Sequence, residues 1–293
     1  MADKIKWFNE IIATVLDKNK IFYREKYVYH YTNLSSLISI IDNKELWLSE
    51  RSCMNDINDE DFVKRLFKRL SYDYVFKDPS FLINAEHQYL FSTSKEKDSI
   101  HQWSYYGDGD GVCIEFDREK LINLFGELFE WEGYYYGSIL YTKEFETDSI
   151  EKNIIIDIVK KFNESLNIKT DNIEEDQNIQ YLIVSEYLYS LVKQYGHHCE
   201  QEYRFLITDE GIQTKLKNCD NPKIKKALKT SFRSKSNLVA PFIKIPFDPK
   251  SLITSIMIGP NNHDKNAYAT LRFYLDSKKL QNIEVTKSSL NTR

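Results

Sequence analysis

The chain has 293 residues, 42% of them hydrophobic and 29% charged, enough to bury a core as one large domain or two small ones. Its net charge of −4 argues against a broad sequence-blind nucleic-acid surface, which needs a basic stripe to displace counterions. The charges Asp3, Lys4, Lys6, Glu10, Asp17 and Lys18 interrupt any signal-peptide core, and no apolar run reaches the roughly 20 residues of a membrane span.

From the N-terminus, Trp7, Phe8, Ile11, Ile12, Val15 and Leu16 recur at helical spacing and predict an amphipathic helix within residues 1–20. "YVYHYT" reads as a strand. Leu34, Leu37, Ile38 and Ile41 then share a helical face, with Asn33 as its cap, and "LWLSE" is a second strand. The polar loop "RSCMNDINDED" leads to a helical pattern through Phe62, Val63, Leu66, Phe67 and Leu70.

"QYLFSTS" (88–94) is the next strand, followed by a short helix through "SIHQWSYYG", the strand "GVCIEF", the helix "REKLINLFGELF" and a strand "GSILYT". Residues 149–195 carry helical patterns around an acidic stretch and are expected to be an insertion. The strand "EYRFLIT" (202–208) follows, then "FIKIPF" (242–247), "ITSIMIGP" (253–260), a helix over 264–277 and a last strand near "NIEVTKS". Strands and helices mix without regular βαβ alternation. The expected class is α+β, a single domain over 1–293 with a mixed or antiparallel sheet and peripheral helices.

The four cysteines, Cys53, Cys113, Cys199 and Cys219, form no C-x-x-C pair, which suits free thiols in the cytoplasm. Phosphate-binding glycine loops and the G-x-S-x-G elbow are absent. "GDGDGVC" lacks calcium-loop spacing and reads as a turn. Read as strand neighbours, His197, His198 and Cys199 would point to alternate faces, so no metal ligand set is expected.

What remains is a series of polar and aromatic residues at strand edges. His30 leads it, followed by Ser92, Thr93 and Ser94. Trp103 and Tyr106 lie three apart on one helical face. Glu200, Glu202 and Arg204 fall on one side of a strand if that strand begins by Glu200. Each has a bland alternative: a hydrogen-bonded histidine, a strand end, a core tryptophan, a solvated acidic face.

In order, "YHYTNLSSLISIIDNKELWLS", "MNDINDE", "FSTSKEKDSIHQWSYYGDGDGVCIEFD", "EQEYRF" and "ITSIMIGP" resemble a bacterial family known only as a domain of unknown function. That resemblance runs over about residues 27–260. More distantly, "YHYT" with its short helix and strand, "STS" and "EQE" resemble the ADP-ribosyltransferase fold. The His of one branch is joined here to the S-T-S of another, and more than a hundred residues separate STS from EQE.

This second resemblance implies a split sheet and NAD as substrate, with transfer of ADP-ribose or NAD hydrolysis, in a toxin or phage-defence effector. It implies Glu202 as the catalytic carboxylate with Glu200 orienting the acceptor. His30, Tyr31, Thr32, Ser92 and Ser94 would bind the ribose side, and Tyr31, Trp103 or Tyr106 would stack on a ring. Arg51 and Arg204 would hold the pyrophosphate. Two other readings stand beside it. One is a non-enzymatic nucleotide- or partner-sensing module; the other is a metal-dependent nuclease or hydrolase using Asp56, Asp59, Glu60, Glu200 and Glu202. The acceptor, protein or nucleic acid, and any cognate inhibitor or partner protein are left open.

Overall fold

A computed structural model describes residues 23–54, 87–106, 109–129, 133–143, 191–235 and 237–290, with single positions at 62, 65, 66, 153, 156 and 157. The helix expected within 1–20, most of that expected over 62–70 and nearly all of the 149–195 insertion lie outside these residues.

The fold is α+β, with a mixed, mostly antiparallel sheet. Its first strands are β1 (Tyr27–Asn33), β2 (Glu45–Glu50), β3 (Gln88–Ser94) and β4 (Gly111–Asp117). β5 (Tyr134–Ser138), β6 (Leu140–Thr142), β7 (Val192–Gln194) and β8 (Glu202–Thr208) follow. β9 (Ser231–Lys235), β10 (Leu238–Pro246), β11 (Ile253–Ile258) and β12 (Glu284–Lys287) complete the strands. The helices used below are α1 (Leu34–Asn43), α2 (Ile100–Tyr106), α3 (Arg118–Phe129) and α4 (Asp209–Asn218).

The strands of the main sheet follow the period-2 rule, and the alternation decides what each face meets. Val28, Leu46, Leu48, Tyr89, Phe91, Ile114, Phe116, Tyr203, Phe205 and Ile207 point to one large core. That core is closed by Leu37 and Ile41 of α1 and by Leu121, Ile122, Phe125 and Phe129 of α3. A smaller cluster of Tyr31, Trp103, Cys113 and Met257 packs separately.

β3 is the branch point. It pairs with β8 along its whole length, from Gln88 opposite Thr208 to Ser94 opposite Glu202. Its other edge is divided. β1 holds it only at Tyr29 opposite Ser94, and β2 only at Ser49 and Glu50 opposite Leu90 and Tyr89. Between those ends β1 and β2 diverge from β3, each staying paired on its other edge, β1 with β4 along its whole length and β2 with β10 over Glu45–Ser49. The result is a fork over residues 91–93 of β3. α1 links the end of β1 to the start of β2, and the Asn33 side chain caps it by accepting from Ser36 N–H at 2.8 Å.

Several elements differ from the sequence reading. The strand read from Gly137 begins three residues earlier, as the aromatic run Tyr134–Ser138 paired with β8, and Leu140–Thr142 is a separate strand. The close of the expected helical insertion is the strand Val192–Gln194, parallel to β6. His197 and His198 sit on a 3-10 turn, Tyr195–Glu200, and not on a strand. The order of elements from 209 to 241, including α4 and β9, was not read from the sequence.

The β5–β8 unit is anchored at Gly133, whose φ of +60° suits glycine. A Cβ there would come within 2.6 Å of Gly211 Cα and Thr208 Oγ1, at the start of α4. Gly133→Ala is therefore expected to lower the unfolding free energy by at least about 1–2 kcal/mol. Urea denaturation measures it, and an unchanged midpoint would contradict this packing.

Candidate functional site

The fork opens into a cleft of about 400 Å³. β1 contributes His30 and Thr32, α1 contributes Ser36, Ser39 and Ile40, and β2 contributes Trp47 and Ser49. Ser92 of β3 and Glu202 and Arg204 of β8 share the sheet face that Trp47 and Ser49 also share. Lys193, His197 and Glu200 approach from one side, Arg233 and Lys235 of β9 from another, and Tyr105 and Tyr106 of α2 from a third.

His30 occupies the place where the ladder breaks. Continuing the register from Tyr29 opposite Ser94 would put Tyr31 opposite Ser92; instead, the Ser92 carbonyl accepts from His30 Nδ1 at 3.1 Å. The ring also lies against Phe91, centroid to centroid 4.8 Å. Burial holds the imidazole below its ordinary pKa, against a raising effect from the Ser92 bond, so it is neutral at pH 7. A carbonyl oxygen can only accept, so Nδ1 carries the proton. Nε2 then presents a lone pair and has no partner among the described residues, which suits a donor such as a ribose hydroxyl.

The three polar residues of "STS" divide their tasks. Thr93 Oγ1 donates to the Tyr203 carbonyl at 2.7 Å, binding β3 to β8. Ser94 Oγ donates to the Glu200 carbonyl and accepts from Glu96 N–H, pinning the turn. Ser92 Oγ is buried, meets no well-formed hydrogen-bond partner among the described residues, and turns toward the Glu202 carboxylate, which it helps to hold low. Of the three, Ser92 is the one whose hydroxyl belongs to the Glu202 side of the cleft.

Glu200 and Glu202 come together, though not as neighbours on one strand. The strand begins at Glu202; Gln201 bends the chain with a φ of +46° between the 3-10 turn and β8. Lys193 then bridges the pair, 2.8 Å from Glu200 Oε2 and 3.3 Å from Glu202 Oε2. Arg204, two residues along β8, forks onto Glu202 through Nε at 2.7 Å and Nη2 at 3.0 Å. His197 Nδ1 lies 3.1 Å from Glu200 Oε1. Burial pushes the Glu202 carboxyl up, but Arg204 and Lys193 outweigh it and bring it down to about 2.

Other expected positions differ. Tyr31 borders the cleft, but its hydroxyl donates to the Glu96 carbonyl and accepts from Ser99 N–H, and its ring meets Trp103 edge-on. Trp103 is 2% exposed, donates from Nε1 to Asp98 at 2.7 Å and does not line the cleft, so it is a core residue and not a stacking platform. Tyr106, on the same helix, is 44% exposed at the rim, and its neighbour Tyr105, also at the rim, is 68% exposed. Arg51 also lies outside the cleft lining, its Nη1 donating to Gln88 Oε1. Arg204 does reach the cleft, with its fork committed to Glu202.

Sequence reasoning missed Lys193, Trp47, Ser49, Arg233 and Lys235. Only alternation in "LWLSE", which puts Trp47 and Ser49 opposite the core-facing leucines, could have signalled any of them. Among the described residues no group of three or more His, Cys, Asp or Glu side chains could hold a metal ion, and no helix is long and apolar enough to cross a membrane.

The charge network has a testable consequence. Glu202→Gln removes the buried carboxylate that Arg204 forks onto and leaves Lys193 with Glu200 alone, an expected cost of about 3–5 kcal/mol of folding free energy. Because the folded-state pKa of Glu202 lies below its ordinary 4.5, its stabilising effect is present above that value and disappears as pH falls toward about 2. Urea titrations from pH 7 down to 2 should show wild type converging on the variant. Equal stabilities at pH 7 would contradict the network.

No curated protein and no solved structure matches the chain. The expected kinship with a family of unknown function is found over the stretch from α2 to β8, which carries Lys193, Glu200, Glu202 and Arg204: residues 102–205 match the family described as Protein of unknown function (DUF2971).

Proposed function

We propose that the cleft binds NAD and that the chain is an ADP-ribosyltransferase-like enzyme, passing ADP-ribose to an acceptor or to water. The observation that carries this reading is the meeting, at one fork, of a neutral imidazole acceptor, a serine hydroxyl beside a carboxylate and a second carboxylate. Nicotinamide–ribose cleavage builds positive charge on the ribose, and a carboxylate beside it stabilises that charge. His30 Nε2 accepts from a ribose hydroxyl and Ser92 Oγ supplies a second polar contact, which fixes the sugar before the bond breaks. Tyr105, Tyr106 and Trp47 offer rings for a base or for nicotinamide.

The roles of the two acids are exchanged relative to the sequence expectation. Both acids have partners on both oxygens, but Glu202 is the more buried and is gripped by the two-point Arg204 fork as well as Lys193, so it anchors the network. Glu200, more exposed to the cleft and held by single contacts from Lys193 and His197, takes the ribose. The same pairing weighs against a metal-dependent hydrolase, because cationic side chains already occupy these carboxylates. Four free thiols suit action in the cytoplasm, and a role as toxin or phage-defence effector, on a protein or nucleic-acid acceptor, extends the family resemblance. A sensing module is favoured by one observation, the neutralisation of Glu202 by Arg204.

Incubation with NAD labelled in its adenylate phosphate, alone and with cell lysate, followed by separation of protein, RNA and DNA, tests the reading. Wild type should release nicotinamide. Glu200→Gln should lose it by about a hundredfold or more, as loss of a charge-stabilising group does, with its melting transition retained. Calorimetric NAD binding without any product would establish the sensor instead, and unchanged turnover in Glu200→Gln would refute the assigned role.

A further inference from the structure

We propose that Arg233, with Ser49 and the Trp47–Phe242 ring pair, forms a phosphate-binding subsite on the β9 side of the cleft. The strand register assembles it. Phe242 of β10 stands opposite Ser49 of β2, and Ala240 of β10 stands opposite Arg233 of β9. Trp47 and Phe242 stack with centroids 4.4 Å apart. The Arg233 guanidinium carbon lies 5.7 Å from each ring centroid, and Nη2 donates to Ser49 Oγ at 2.6 Å.

Two features separate Arg233 from the other cleft arginine. Arg204 forks onto Glu202, whereas among the described residues no carboxylate lies within ion-pairing distance of Arg233. The Glu45 carboxylate, also in the cleft lining, is engaged by Lys244 at 3.3 Å. Arg233 Nε is moreover buried, with no hydrogen-bond partner among the described residues. A half-buried cation with an unspent N–H is costly unless something meets it, and burial alone pushes its pKa down. Nε and the Nη groups form a planar fork that fits phosphate oxygens, and the rings hold that fork in one orientation. Lys235, two residues along β9, borders the same cleft.

Assigning the phosphate to the NAD diphosphate rests on the function proposed above; a phosphate on the acceptor has the same chemistry. Calorimetry on the full chain with pyrophosphate and with ADP, on wild type, Arg233→Gln and Arg233→Lys, tests the subsite directly. Wild type should bind both probes. Affinity should fall at least tenfold in Arg233→Gln and by a smaller factor in Arg233→Lys, which keeps the charge but loses the fork. Because the lysine variant retains the charge, it serves as the test should the glutamine variant fail to fold. Failure of wild type to bind either probe, or equal affinity in the folded variants, would overturn the subsite.

ADP lacks the nicotinamide bond, so Arg233-dependent ADP binding without NAD turnover supports the subsite while the enzymatic reading falls. If turnover exists, a raised KM for NAD in Arg233→Lys assigns the diphosphate. An unchanged KM with slower transfer to a phosphorylated oligonucleotide assigns the acceptor.

Discussion

The site depends on the single hydrogen bond from the His30 imidazole to the Ser92 carbonyl. A strand edge with unpaired backbone groups is a liability, and β3 has such an edge where β1 and β2 part. Filling it with a side chain lets the sheet stay open without leaving that carbonyl unsatisfied. The same bond fixes the imidazole tautomer. One interaction thereby maintains the fork and leaves Nε2 of a cleft-lining ring as the nitrogen with the lone pair. The Thr93 and Ser94 hydroxyls tie β3 to β8 and to the turn at Glu200, so the opposite edge of the branch strand stays closed.

Around that fork the charges fall into two groups. Lys193, Arg204, Glu200 and Glu202 form a compact network whose members neutralise one another, and it is buried deeply enough for screening to be weak. Within it Arg204 and Glu202 hold the geometry that places Glu200, and its internal balance leaves little net field in the cleft floor. Arg233 lies apart from it, propped on aromatic rings and, among the described residues, without a carboxylate in ion-pairing distance. A cleft with a neutral acceptor on one wall and, on another, a cation that no described carboxylate pairs suits a ligand bearing both hydroxyls and a negative group.

Much of this architecture was legible in the sequence. "YVYHYT", "LWLSE", "QYLFSTS" and "EYRFLIT" announced their strands because apolar and aromatic side chains alternate in short runs bounded by polar ones. Asn33 declared its cap for the same local reason. The failures also have physical causes. Trp103 and Tyr106 do share a helical repeat, but spacing does not say which member of a pair meets the sheet. "YYYGS" concealed β5 because its glycine looked like a beginning. Lys193 was invisible because a buried lysine is written with the same letter as an exposed one. Its burial follows from Glu200 and Glu202, which meet it only after the chain bends at Gln201. Arg233 sits in "SFRSK", a segment whose pairing with β10 is a property of the sheet and not of its own letters.

The most direct test of the central claim is nitrogen-15 NMR of the His30 ring, with and without NAD. The neutral tautomer protonated on Nδ1 should persist at pH 7 in the free protein. Added NAD should shift the Nε2 resonance, as it accepts a hydroxyl proton, while leaving Nδ1 close to its free position. A His30 ring that is charged or protonated on Nε2 at pH 7, or one whose Nε2 ignores saturating NAD, would contradict the account.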